Sequence, residues 1–189
     1  MQGYVEFDRF TDLEASLGQF LTQISNEPMT AASWKWALIS SHAALQGAVC
    51  IALRGSAGFD TWKPSHFRKW MAAYDNGDAL PDPQLDFFME LFDRLFEGSS
   101  EIDRHLIDWL NQTRNTLIHF NADVYSIECA SIVGAMNAAI AATSATPKRS
   151  KGVFFYYEER SERFFALCDH IRARLQRLAD ASLEVASDA

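Results

Sequence analysis

Cysteine is scarce and scattered: Cys50, Cys129 and Cys168 are the only three in 189 residues. An odd count without CxxC spacing excludes a disulfide framework or a cysteine zinc site as the organising feature. Each lies in an apolar helical pattern, so the expected state is buried thiols in a reducing compartment. Positive charge is also short. Lys and Arg number 17 against 25 Asp and Glu, a net charge of −8. That excludes nucleic-acid binding through bulk charge, because counterion release needs a concentrated basic surface. A local basic site on an acidic body stays open. No run reaches ~18 uninterrupted apolar residues, so no membrane span is expected. The opening residues, MQGYVEFDRF, are acidic in part and lack a long apolar core, unlike a secretory signal, so a cytoplasmic protein is expected. There is no HExxH, no glycine-rich phosphate loop and no group of acids at ligand spacing. No metal and no cofactor are therefore expected.

Apolar residues are plentiful. They make up 48% of the chain and aromatics 13%, a globular composition long enough for one domain with a real core. Their spacing is helical throughout. Phe10, Leu13, Leu17, Phe20 or Leu21, and Ile24 form an amphipathic stripe in a helix starting at Thr11, with capping-box spacing to Glu14, or a little earlier near Asp8. Thr30 to Arg54 is apolar nearly all round, the pattern of a central helix, and Gly55 follows in a helix-terminating position. Ser40, Ser41, His42 and Gln46 interrupt it, with His42 and Gln46 one turn apart on a shared face. Such polar groups need either partners on a neighbouring helix or a cleft.

Residues 55–83 read as an irregular connection holding one short helix, His66 to Tyr74, anchored by Phe67, Trp70 and Met71. Helices are expected from Pro83 to Phe96, from Ser99 to about Phe120, from Val124 to Thr143 and from Phe155 to Leu183. Between the last two, residues 145–152 read as a loop carrying Lys148, Arg149 and Lys151, either a solvated turn or a phosphate contact beside a site. No strand pattern competes. The expected fold is all-α: a helical bundle of about five longer helices plus one short helix, one domain over 1–189, with a frayed tail at 184–189.

One constellation carries chemistry. Arg114, Asn115 and His119 close the Ser99–Phe120 helix. Arginine offers a planar cationic fork, asparagine can orient a ligand, and histidine titrates near neutral pH, a set that suits a phosphate ester. On a regular helix Asn115 and His119 share a face, whereas Arg114 and His119 lie about 140° apart. Two arrangements would bring them to one phosphate: distortion where the helix ends at His119, or a two-fold dimer in which both copies line a shared cleft. Without such convergence, the three side chains would serve only local bonds and the helix end.

Arg114-Asn115-xxx-His119 on a late helix of an all-α domain resembles the R-N-x-x-x-H motif of HEPN domains. The resemblance extends to the bundle as a whole and rests on these three positions. It implies a dimeric helical bundle and, in many members, a metal-independent endoribonuclease of defence, stress or toxin–antitoxin systems. The implied reaction is attack by the RNA 2′-hydroxyl on the adjacent phosphate, giving a 2′,3′-cyclic phosphate. His119 then acts as general base or acid, Arg114 stabilises phosphorane charge and Asn115 orients. Other members bind nucleotides or proteins without catalysis. Partners implied are a second copy of the chain, RNA or a nucleotide, and an antitoxin. Toxins paired with nucleotidyltransferase antitoxins often carry a tyrosine two residues beyond the histidine; this chain has Asn121 there, which points away from that pairing.

Overall fold

The computed structural model describes residues 3–54, 58–120 and 123–187, with side chains to 181. These residues form seven α-helices: α1 (Arg9–Ile24), α2 (Ala31–Leu53), α3 (Pro64–Asn76), α4 (Phe88–Phe96), α5 (Arg104–Ile118), α6 (Cys129–Arg149) and α7 (Glu158–Ser187), with a 3-10 turn at Phe59–Thr61. The fold is all-α. The only β-type pairing among the described residues is an isolated bridge, Trp62 to Leu85. Five helices are long, α1, α2, α5, α6 and α7, but two are shorter rather than one: α3 with 13 residues and α4 with 9. Gly55 and Asn121 lie outside the described residues.

Side-chain caps mark the starts of α1, α2 and α5. Asp8, not Thr11, starts α1: its Oδ1 accepts the backbone N–H of Phe10 at 2.8 Å and of Thr11 at 2.9 Å. Asp103, not Ser99, starts α5 by accepting from His105 N at 2.9 Å. Pro83 does not start α4, because residues 84–86 pair instead with the 3-10 turn. Lys63 N donates to Gln84 O at 3.0 Å and Asp86 N to Thr61 O at 2.9 Å. The expected loop at 145–152 is helical as far as Arg149, with Pro147 inside the last turn. Proline there leaves the Thr143 carbonyl without its usual N–H, and the Thr146 hydroxyl supplies the missing donor at 2.7 Å.

α2 is the central element, packed on α1, α4, α5 and α6. α7 closes against α1 and α6, and α5 against α6. Leu13, Leu17, Phe20 and Ile24 of α1, Leu45 and Val49 of α2, Leu110 of α5, Met136 of α6 and Ile171 of α7 are all buried in one core. Two buried serines of α2 satisfy themselves within the helix: Ser40 Oγ donates to Trp36 O at 2.6 Å and Ser41 Oγ to Leu38 O at 2.9 Å. α2 and α6 are long and apolar enough by composition to cross a membrane, yet 67% and 56% of their most apolar windows are buried inside the bundle. Core helices have that pattern. α3 has no buried residue. It hangs on the 3-10 turn through an aromatic contact of Phe59 with Phe67 and Trp70, ring centroids 5.1 and 5.3 Å apart.

The cysteines divide three ways. Cys168 is buried, Cys50 half-buried, and Cys129 exposed at the first position of α6. The expectation of burial fails for Cys129 because α6 begins five residues later than its periodicity suggested, which puts this thiol at the helix end.

Candidate functional site

α5 stays regular through Ile118 and leaves helical geometry at His119, which has φ −100° and ψ 41° and whose N–H donates to Asn115 O at 3.0 Å. Arg114 is half-buried, and its Nη1 donates to Asn115 Oδ1 at 2.8 Å. No carboxylate pairs with Arg114 among the described residues. The side chains of Arg114 and Asn115 are therefore joined. The exposed His119 ring makes no hydrogen bond to either, so the break at His119 does not by itself converge the three groups within one chain.

His42 sits on the neighbouring helix at 1% exposure. Its Nε2 donates to Asn111 Oδ1 at 3.0 Å, and its ring packs on Phe88 with centroids 4.5 Å apart. Its Nδ1 has no partner. Burial pushes its pKa down to about 4, partly offset by the Asn111 hydrogen bond and reinforced by the nearby Arg114 cation. A buried, neutral imidazole cannot meet a bound substrate directly. It forms a polar seam between α2 and α5 one turn from Arg114. The partner, Asn111, is 69 residues away along the chain, so local spacing cannot reveal it.

Gln46 parts company with His42. It is half-buried and lines a separate cleft with Arg9 and Arg54. The basic residues are drawn elsewhere too. Arg149 Nη2 reaches Ser99 Oγ at 2.8 Å and Glu101 at 3.4 Å, and its guanidinium lies 5.0 Å from the Phe96 ring. Lys151 pairs with Asp60 at 3.6 Å. Lys148 is exposed. Ser99 and Glu101 precede α5 and His119 follows it, a separation of about 22 Å along a helix of this length. The basic segment thus stands at the other end of α5 from His119, not beside it. Among the described residues, no three His, Cys, Asp or Glu side chains gather as a metal site.

Apolar surface surrounds the end of α5. Ile118 is 42% exposed, Phe120 48% and Tyr125 41%. Leu117, Phe120 and Tyr125 also line a groove of about 330 Å³ with Trp34, Leu38 and Cys129. Exposed apolar residues gathered this closely suit a contact with another surface. No protein-family description, curated protein or solved structure matches this chain.

Proposed function

We propose that the protein is a HEPN-like, metal-independent endoribonuclease that works as a homodimer through the C-terminal end of α5. One observation carries this reading. Arg114 has no carboxylate partner among the described residues and is oriented by Asn115, which lies one turn from the exposed His119 beside exposed apolar surface. A two-fold contact across Ile118 and Phe120 brings a second Arg114–Asn115–His119 set to the same cleft, with the symmetry supplying the convergence that one helix does not.

In that cleft His119 of one copy removes the proton from an RNA 2′-hydroxyl. The 2′-oxygen bonds to phosphorus, the bond from phosphorus to the 5′-oxygen breaks, and the second copy's His119 protonates the leaving oxygen. The products are a 2′,3′-cyclic phosphate and a 5′-hydroxyl. The Arg114 forks neutralise the charge that grows on the phosphoryl oxygens. The test incubates purified protein with RNA and EDTA and compares wild type with Arg114→Ala and His119→Ala. Cleavage with cyclic-phosphate ends, lost in both variants, supports the assignment. No cleavage by wild type, or undiminished cleavage by both variants, refutes it.

A second reading is a non-catalytic HEPN-like module that binds a nucleotide or a protein partner. The separation of the His119 ring from Arg114 within the chain favours it. Wild type that binds RNA or nucleotide at Arg114 without cutting selects this alternative.

A further inference from the structure

We propose that the cleft between α1, α2 and the 3-10 turn is a binding site for a phosphorylated small molecule of mononucleotide size. The cleft holds about 370 Å³. Arg9 and Asp12 reach it from α1, Gln46 from α2 and Arg54 from just past the end of α2, and Ile51 and Leu85 give it an apolar wall. None of Arg114, Asn115 and His119 lines it, so the proposal stands apart from the ribonuclease assignment.

The two arginines carry the argument. In this acidic chain Arg94, Arg104, Arg149, Arg160, Arg163, Arg172 and Arg174 all pair with carboxylates. Arg9 comes to the cleft from α1 and Arg54 from just past the end of α2, and among the described residues neither has an ion pair or a side-chain hydrogen bond. The contact of Arg9 is with its neighbour, the Phe10 ring, 5.2 Å away. Asp12 stands three residues along the same helix, a spacing that permits pairing, and does not pair with it. Arg9 and Arg54 both line the cleft, and an anion bound between the two cations is attracted by each. Their planar forks match phosphate oxygens two at a time.

The remaining lining sets the size and character of the ligand. Gln46 is half-buried with no side-chain hydrogen bond, leaving amide donors and an acceptor for a ligand. The free Asp12 carboxylate accepts from a ribose hydroxyl or an exocyclic amine. Ile51 and Leu85 offer a surface for a flat ring. The volume falls in the range of small-molecule pockets and exceeds the needs of inorganic phosphate. Together these features describe a phosphate, a polar middle and a planar apolar end, the chemistry of a nucleoside monophosphate.

Titration calorimetry on the full chain decides the matter, using AMP, UMP, adenosine and inorganic phosphate as probes. A nucleoside monophosphate binds, adenosine and inorganic phosphate bind more weakly, and Arg9→Gln or Arg54→Gln each weakens binding about tenfold or more. Arg114→Ala leaves it unchanged. Thermal unfolding of each variant controls for folding. A second measurement needs no variant: AMP slows alkylation of Cys50, which lines the cleft, and leaves that of exposed Cys129 alone. The proposal fails if neither monophosphate binds at millimolar concentration, if adenosine or phosphate binds as tightly as AMP, if the Arg9→Gln/Arg54→Gln double variant binds like wild type, or if Arg114→Ala abolishes binding.

Discussion

His42 Nε2 and Asn111 Oδ1 lie 3.0 Å apart, a hydrogen bond that joins the centre of α2 to α5 three positions before Arg114. It fixes the imidazole as the Nε2–H tautomer and ties Asn111 of α5 to α2. The other ring nitrogen is unpaired, so the seam is satisfied on one side only.

A pH dependence of stability follows. The folded pKa of His42 is about 4, below the ordinary 6.5, because burial disfavours the cation. Above 6.5 both folded and unfolded chains are neutral at this position, and the group has no effect. As pH falls from 6.5 through 4, the unfolded chain takes up a proton that the folded chain refuses, so stability is lost, by up to roughly 3 kcal/mol. Urea denaturation of wild type and His42→Gln across this window should show a shallower decline in the variant. Parallel declines would place the acid sensitivity elsewhere.

The expected effects of the basic segment separate by residue. Arg149→Ala removes the contacts to Ser99 and Glu101 and the stacking over Phe96, and should lower stability by about 1–2 kcal/mol. Lys148→Ala, on an exposed side chain, should stay within about 0.5 kcal/mol of wild type. Equal denaturation midpoints for the two variants would show that the Arg149 contacts carry no stability.

The shared-cleft proposal makes a claim about mass. Wild type should scatter light as a dimer at micromolar concentration, and Phe120→Asp as a monomer with unchanged helical circular dichroism. An aspartate in an apolar contact is buried without a partner, which weakens association strongly. A wild type that is monomeric at every concentration removes the cleft.

Thiol chemistry should follow exposure. Cys129 should be alkylated first, Cys50 slowly and Cys168 last, as read by intact mass and peptide mapping. Burial raises the Cys50 pKa to about 11 and that of Cys168 to about 12, so little reactive thiolate exists at neutral pH. Fast labelling of Cys168 in the folded protein would contradict the packing of α7 on the core.

Much of the fold was legible in the chain, and the reasons are local. The α1 stripe is buried at Phe10, Leu13, Leu17 and Ile24, and of the pair Phe20 and Leu21 it is Phe20 that is buried. The all-round apolarity of α2 marked it as the central helix, because such a helix has no face to offer water. The misplaced starts of α4 and α5 have different causes. Ser99, Pro83 and Val124 are adequate starting points by propensity, but Asp103 caps better and residues 84–86 find backbone partners in the 3-10 turn. Those partners are more than twenty residues away, beyond what a local pattern can register.

The candidate site was legible in kind and not in arrangement. Arg114, Asn115 and His119 could be singled out because few other residues here combine a cationic fork, an amide and a titrating base within six positions. Spacing also suggested that His42 and Gln46 act as one polar patch. A 40° offset around α2 is enough to turn His42 into the core against α5 and Gln46 into the cleft against α1.

The sequence by itself determined the class of the molecule: an acidic, helical domain whose long stripes demand a bundle. Hydrophobic periodicity is a property of neighbours along the chain, so no three-dimensional knowledge was needed. Only the tertiary structure decided which charges are neutralised and which are left open. Arg149 and Lys151 are absorbed by distant acids, Arg114 is held by an amide, and Arg9 and Arg54 face one cleft. Ion pairing depends on distances of a few ångströms between residues far apart in sequence, and those distances are set by how the helices pack.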